Sequence, residues 1–140
     1  MAFIPILLLA LFALPAHAAE IAGPVRASLV RVIDGDTVEA DVHVWPGHTV
    51  RVSVRLRGID APELRSRCEA EKLAALDARD TLAGLLASGA FHVRNVDGDK
   101  FFGRVVADIE TPEGDGIVER LLEVGLVRPY DGKARASWCD

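Results

Sequence analysis

Residues 27–57 read ASLVRVIDGDTVEADVHVWPGHTVRVSVRLR, and the fold is decided by this run. Ala27 to Ile33 is rich in β-formers and ends in Asp34-Gly35-Asp36-Thr37, a turn sequence. From Val38 to Trp45 the side chains alternate, with Val38, Ala40, Val42 and Val44 apolar. They alternate again from Thr49 to Arg57, with Val50, Val52, Val54 and Leu56 opposed to Arg51, Ser53, Arg55 and Arg57. A period of two is that of a strand with one face buried. Pro46-Gly47 supplies the second tight turn. Three strands joined by two tight turns make a meander.

Beyond Gly58 and Pro62 the period changes. From about Glu69 to Ala87, Ala75, Leu82, Leu85 and Leu86 recur near helical spacing among charged neighbours, and Ser88-Gly89 supplies a stop. Phe91 to Val96 and Phe101 to Ile109 read as two more strands about the turn Asp97-Gly98-Asp99. Asp115 is expected to cap a second helix, with Ile117, Val118, Leu121 and Leu122 as its buried stripe and Gly125 at its end. The order βββ-α-ββ-α, α+β with two to three helices, is that of a five-stranded OB-fold barrel. Such barrels commonly present one face to oligonucleotides or oligosaccharides. Residues 131–140 are expected to form an irregular tail.

The 140-residue chain carries a net charge of −5 and is of a length for one domain. All 16 basic and 21 acidic side chains fall after residue 18. Residues 1–18 contain an apolar core, Ile4 to Leu14, followed by Ala16-His17-Ala18, a pattern that signal peptidase cuts. The apolar run is shorter than the ~20 residues of a spanning helix. A signal peptide cleaved near Ala18 or Ala19 is therefore expected, although no Lys or Arg precedes the run; an uncleaved anchor or buried first helix is the alternative. The product would be periplasmic or secreted, a monomer, with no stable membrane association after cleavage. The remaining composition excludes disorder, collagen, coiled coil and a multi-spanning membrane protein.

Cys68 and Cys139 are the only cysteines, an even count that suits an oxidising compartment. A bridge would close a loop of about 70 residues and stabilise the fold by roughly 4 kcal/mol. It would also hold the tail; two free thiols is the other reading.

Several polar residues gather around the turns. Asp34 and Asp36 flank Gly35; Asp60 and Glu63 lie around Ala61-Pro62; Arg55 precedes Asp60 by five positions on a polar strand face. Two carboxylates from separate turns suit a hard cation such as Ca²⁺, and arginines suit a phosphate. A third carboxylate can position or deprotonate water. By spacing alone, solvated charges on a sheet compete with that reading. The charge is also uneven: residues 51–67 hold five arginines against Asp60 and Glu63, whereas 108–123 hold six acids against Arg120. A cationic site on an acidic body captures a polyanion modestly, and less as salt rises. Arg128, Lys133 and Arg135 either extend that site or decorate a solvated tail.

Four linked strings, VIDGDTV (32–38), VRLRGIDAPE (54–63), FGRVVAD (102–108) and LLEVGLVRPY (121–130), closely resemble the staphylococcal nuclease (thermonuclease) family in order and spacing. The likeness runs from about Val25 to Tyr130, and the tail and Cys68 look like those of its small exported members. The resemblance implies Ca²⁺-dependent hydrolysis of phosphodiester bonds in DNA and/or RNA. Asp36 and Asp60 match the metal carboxylates, and Ala61 would add its backbone carbonyl, with Asp34 supporting them. Arg55 and Arg104 match the catalytic arginines, and Glu63 the glutamate proposed to orient or deprotonate the attacking water. Tyr130 and Phe102 are expected on the substrate. Two positions depart from the pattern: Ala61 stands where the family often has Thr, and Phe101-Phe102 stand where it often has Lys-Tyr. The alternative to an enzyme is a catalytically inactive OB module of the cell envelope that binds nucleic acid or protein.

Overall fold

The computed structural model describes residues 20–140; the segment expected to be a signal peptide lies outside the described residues. Strands β1 (Val25–Asp34), β2 (Thr37–Trp45) and β3 (His48–Leu56) form the meander anticipated from the alternation. A two-residue strand β4 (Ile59–Asp60) leads to helix α1 (Glu69–Leu85), then β5 (Ala90–Gly98), β6 (Arg104–Glu110), helix α2 (Ile117–Glu123) and a second two-residue strand, β7 (Arg128–Pro129). Five strands close into a barrel in the order β1-β2-β3-β6-β5, with β3 and β6 parallel and the other pairs antiparallel. The architecture is the α+β, OB-like barrel that the element order implies.

The barrel interior is filled by the alternating residues: Val38, Ala40, Val54, Leu56, Phe91, Val93, Ala107 and Ile109 are all buried. Helix α1 closes it with Ala75, Ala78 and Leu82, and α2 adds Ile117 and Leu121. The alternation overreaches at the β2–β3 hairpin, where Val44, Trp45 and Val50 are exposed because the ladder extends past the end of the core.

Two short strands go beyond the sequence reading: β4, where the period changes, pairs with β7, and strands of two residues leave no periodicity to read. Two local expectations are corrected. Phe101 and Phe102 belong to the exposed turn before β6 rather than to the strand, since β5 continues through Gly98 and displaces the turn. The cap of α2 is Gly116, not Asp115, whose backbone N–H bonds Thr111 Oγ1 at 3.1 Å.

Candidate active site

The β1–β2 turn carries the first acidic pair. The backbone N–H of Asp36 donates to Asp34 Oδ1 at 3.1 Å, which tightens the turn. Gly35 is needed here for space: a Cβ at that position would lie 2.6 Å from the Ala78 methyl and 3.0 Å from that of Ala61. The turn is thus seated directly on α1 and on the segment after β4. Asp36 is 7% exposed, accepts from Thr37 Oγ1 at 2.9 Å and from the Ala61 N–H at 2.9 Å, and faces Arg55 Nη1 at 3.2 Å. Burial pushes the Asp34 carboxyl up to about 7, and the adjacent charge of Asp36 adds to it.

The two arginines come from the parallel pair. Arg55 sits opposite Thr37 on one side and Val106 on the other, and Arg104 sits opposite Ser53. Ser53 and Arg55 share a strand face, so the register sets Arg55 and Arg104 on one face of the barrel. Arg55 is anchored by the carbonyls of Leu56 at 3.0 Å and Ile59 at 2.7 Å. Arg104 pairs with Asp99 and lies over the Phe101 ring, 4.5 Å from its centroid. Burial alone would raise the Asp99 carboxyl, but Arg104 and the N–H groups of Lys100 and Phe101 hold it below its ordinary value.

The second acidic pair follows β4. Asp60 is 7% exposed; its Oδ1 accepts from Arg135 Nε at 2.8 Å and its Oδ2 from Trp138 Nε1 at 3.0 Å. Glu63 is largely exposed, with Oε1 3.0 Å from Arg135 Nη1 and its backbone N–H on Glu71 Oε1 at 3.0 Å. Together these groups line a cleft of about 750 Å³ that holds Asp34, Asp36, Arg55, Asp60, Ala61, Glu63, Arg104, Tyr130 and Arg135. Tyr130 is tied into the tail through its hydroxyl, which donates to the Lys133 carbonyl at 2.6 Å. Phe102 is fully exposed and does not line the cleft; Phe101 does. Cys68 and Cys139 are bonded, which decides between the bridge and the two free thiols, and the bond fits an oxidising compartment.

Residues 53–137, more than half of the chain, match the family described as staphylococcal nuclease homologue. The chain belongs to that family. No curated protein matches it. The family match includes Arg55, Asp60, Glu63, Arg104 and Arg135 but begins after Asp36, whose place in the site rests on its contacts with Arg55 and Ala61.

Members of the staphylococcal nuclease family are generally Ca²⁺-dependent. The donor set fits such an ion: two aspartates and the Ala61 carbonyl supply oxygen only, as a hard cation requires. Each Asp60 oxygen takes one donor from the tail and keeps further accepting capacity. Among the described residues, the group of three converging ligand atoms is Cys68, Glu71 and Cys139, whose sulfurs are bonded to each other. The Ala61 carbonyl lies in the same cleft as Asp36 and Asp60, where it accepts from Arg135 Nη2 at 3.0 Å. Sequence reasoning missed Glu71, Asp99 and Trp138. For Trp138 the available signal was the RASWC string, which places a cation and an aromatic just before a cysteine; Glu71 and Asp99 carried none.

Proposed function

We propose that this chain is an exported Ca²⁺-dependent nuclease that hydrolyses phosphodiester bonds of DNA and/or RNA. The observation that carries the reading is the meeting of Asp36, Arg55, Asp60, Glu63 and Arg104 on one cleft of a staphylococcal-nuclease-family barrel. Asp36, Asp60 and the Ala61 carbonyl would hold the cation, which when bound supplies positive charge for the phosphoryl oxygens. Arg55 and Arg104 bind the scissile phosphate. Their forks match its oxygens, and they stabilise the more highly charged transition state more than the diester. Glu63, the most exposed carboxylate of the set, takes a proton from water as the water oxygen bonds to phosphorus. The phosphorus–ester bond then breaks, and the departing alkoxide takes its proton from solvent. Tyr130 and Phe101 offer aromatic faces at the cleft for a base.

The test is cleavage of single-stranded DNA and RNA by the purified protein, with Ca²⁺ or a chelator, beside Glu63→Gln. Calcium-dependent cleavage that collapses in the variant supports the assignment. A folded protein that cleaves nothing under any divalent ion is instead an inactive binding module.

A further inference from the structure

The tail contributes more to the cleft than a covering. Four acceptors receive one guanidinium: Arg135 Nε bonds Asp60 Oδ1 at 2.8 Å, Nη1 meets Glu63 Oε1 at 3.0 Å, and Nη2 bonds the Ala61 carbonyl at 3.0 Å and Glu71 Oε1 at 3.3 Å. Other bonds hold Asp60, Ala61 and Glu63 one at a time, to Trp138, Asp36 and Glu71 respectively, whereas the Arg135 guanidinium joins all three. β4 is only two residues long, and Pro62 has no N–H to donate. The side chain of Arg135 is 34% exposed, against 84% for its neighbour Lys133, so Arg135 is a built-in part of the cleft wall. Among the described residues no buried side-chain nitrogen or oxygen lacks a partner, and for Asp60 the partners come from the tail.

The tail has no regular structure of its own after β7, so its placement depends on a few ties. Tyr130 N–H bonds the Gly58 carbonyl at 2.8 Å, and Arg128 Nη1 bonds the Ser137 carbonyl at 2.7 Å. The Arg128 guanidinium also stacks 3.7 Å from the centre of the Trp138 ring. Cys139 is covalently joined to Cys68, immediately before α1.

We propose that Arg135 is a positioning residue of this site. It sets Asp60, the Ala61 carbonyl and Glu63 in one arrangement, and the Cys68–Cys139 bond keeps it there. The inference rests on the nuclease reading, because it assigns Arg135 to the residues that would hold the cation and accept the proton. Groups that orient metal carboxylates raise affinity and activity by about 10- to 100-fold when present. A lysine supplies charge but not a planar fork, so it cannot bridge four acceptors.

The experiment compares the full oxidised chain with Arg135→Gln and Arg135→Lys by thermal melting, Ca²⁺ calorimetry, and kcat and KM on single-stranded DNA. Both variants should bind Ca²⁺ about 10- to 100-fold more weakly and lose kcat to a similar degree, with KM little changed. Dithiothreitol should shift the wild-type protein in the same direction. Unchanged or tighter Ca²⁺ binding in Arg135→Gln overturns the proposal, as does full restoration by Arg135→Lys, which would make Arg135 a simple counter-charge. If Arg135→Gln fails to fold, Arg135→Lys, which keeps a cation beside Asp60, carries the measurement. Should the wild-type protein neither cleave nor bind Ca²⁺, the nuclease reading falls and takes this inference with it. A wild-type protein that cleaves and variants that match it remove this inference alone.

Discussion

Asp36 and Asp60 are two equally buried aspartates, each facing an arginine, yet they are held by different means. Asp36 meets Arg55 inside the meander, where Thr37 and Arg55 are paired across a ladder whose opposite face is packed with Val38, Val54 and Leu56. Asp60 meets Arg135 across 75 positions of sequence with no long ladder between them: a two-residue sheet, a few bonds within the tail and a disulfide hold the two together. The electrostatics are alike and the supports are not. One half of the site inherits its order from the hydrophobic core. The other inherits it from a covalent bond whose existence depends on the compartment.

The barrel half should show the largest effect on chemistry. Arg55→Lys keeps a cation beside Asp36 but loses the fork. It should lower kcat about 10²- to 10³-fold in protein that remains folded at the assay temperature. That loss goes beyond the modest fall in melting temperature expected from its lost bonds to Leu56 and Ile59. A loss of kcat that tracks a loss of folded protein would break that reading. The tail half should show the larger effect on stability. Cys139→Ser should cost about 2–5 kcal/mol in denaturant unfolding. Under native conditions it should also release amide protection in residues 128–140 while β1, β2 and β3 stay protected. A double-mutant cycle sharpens the contrast further. Cys139→Ser combined with Asp60→Asn should be non-additive by about 0.5–3 kcal/mol, whereas Cys139→Ser with Asp36→Asn should add. Equal coupling to both aspartates would mean that the two halves are one unit.

The smallest effect is one of pH. Glu71 is held below its ordinary value of 4.5, first by the Ser66 hydroxyl and next by the Glu63 N–H, with Arg135 adding to both. A carboxylate depressed in the folded state stabilises it above its unfolded value, and that contribution fades as pH falls through the lower, folded-state value. Acidification below about 4.5 should therefore loosen the tail before the barrel. Trp138 fluorescence in a Trp45→Phe background reports this, and Glu71→Gln should flatten the response.

The barrel half was legible in the chain because its signals are local. Alternation over residues 38–56 set three strands and placed Arg55 on the polar face, while the Asp34–Thr37 turn put Asp36 at its base. Glu63 stood out as a carboxylate beside Asp60, Arg104 was reached through the family resemblance alone, and the cleft brings both to Asp36 and Asp60. The tail half was not legible in the same way. Arg135 stood open between an extension of the site and a solvated tail, because residues 131–140 have neither period nor apolar stripe. The bonds that place them run to Asp60, Ala61, Glu63 and Glu71, far away in sequence. Phe102 shows how little a turn betrays in sequence: of two adjacent aromatics, Phe101 lines the cleft and Phe102 faces water.

The parallel pairing of β3 with β6 closes the barrel, and it sets the order in which the molecule can become competent. Contacts so distant along the chain form only after the loop between them has been closed, and they are slow to nucleate. Arg55 and Arg104 share a face solely through that pairing. A chain emerging from synthesis or threading across a membrane thus carries scattered charges and no assembled site. For the proposed nuclease, the two arginines can act together only once β3 has paired with β6, so the timing of barrel closure would itself restrain the chemistry.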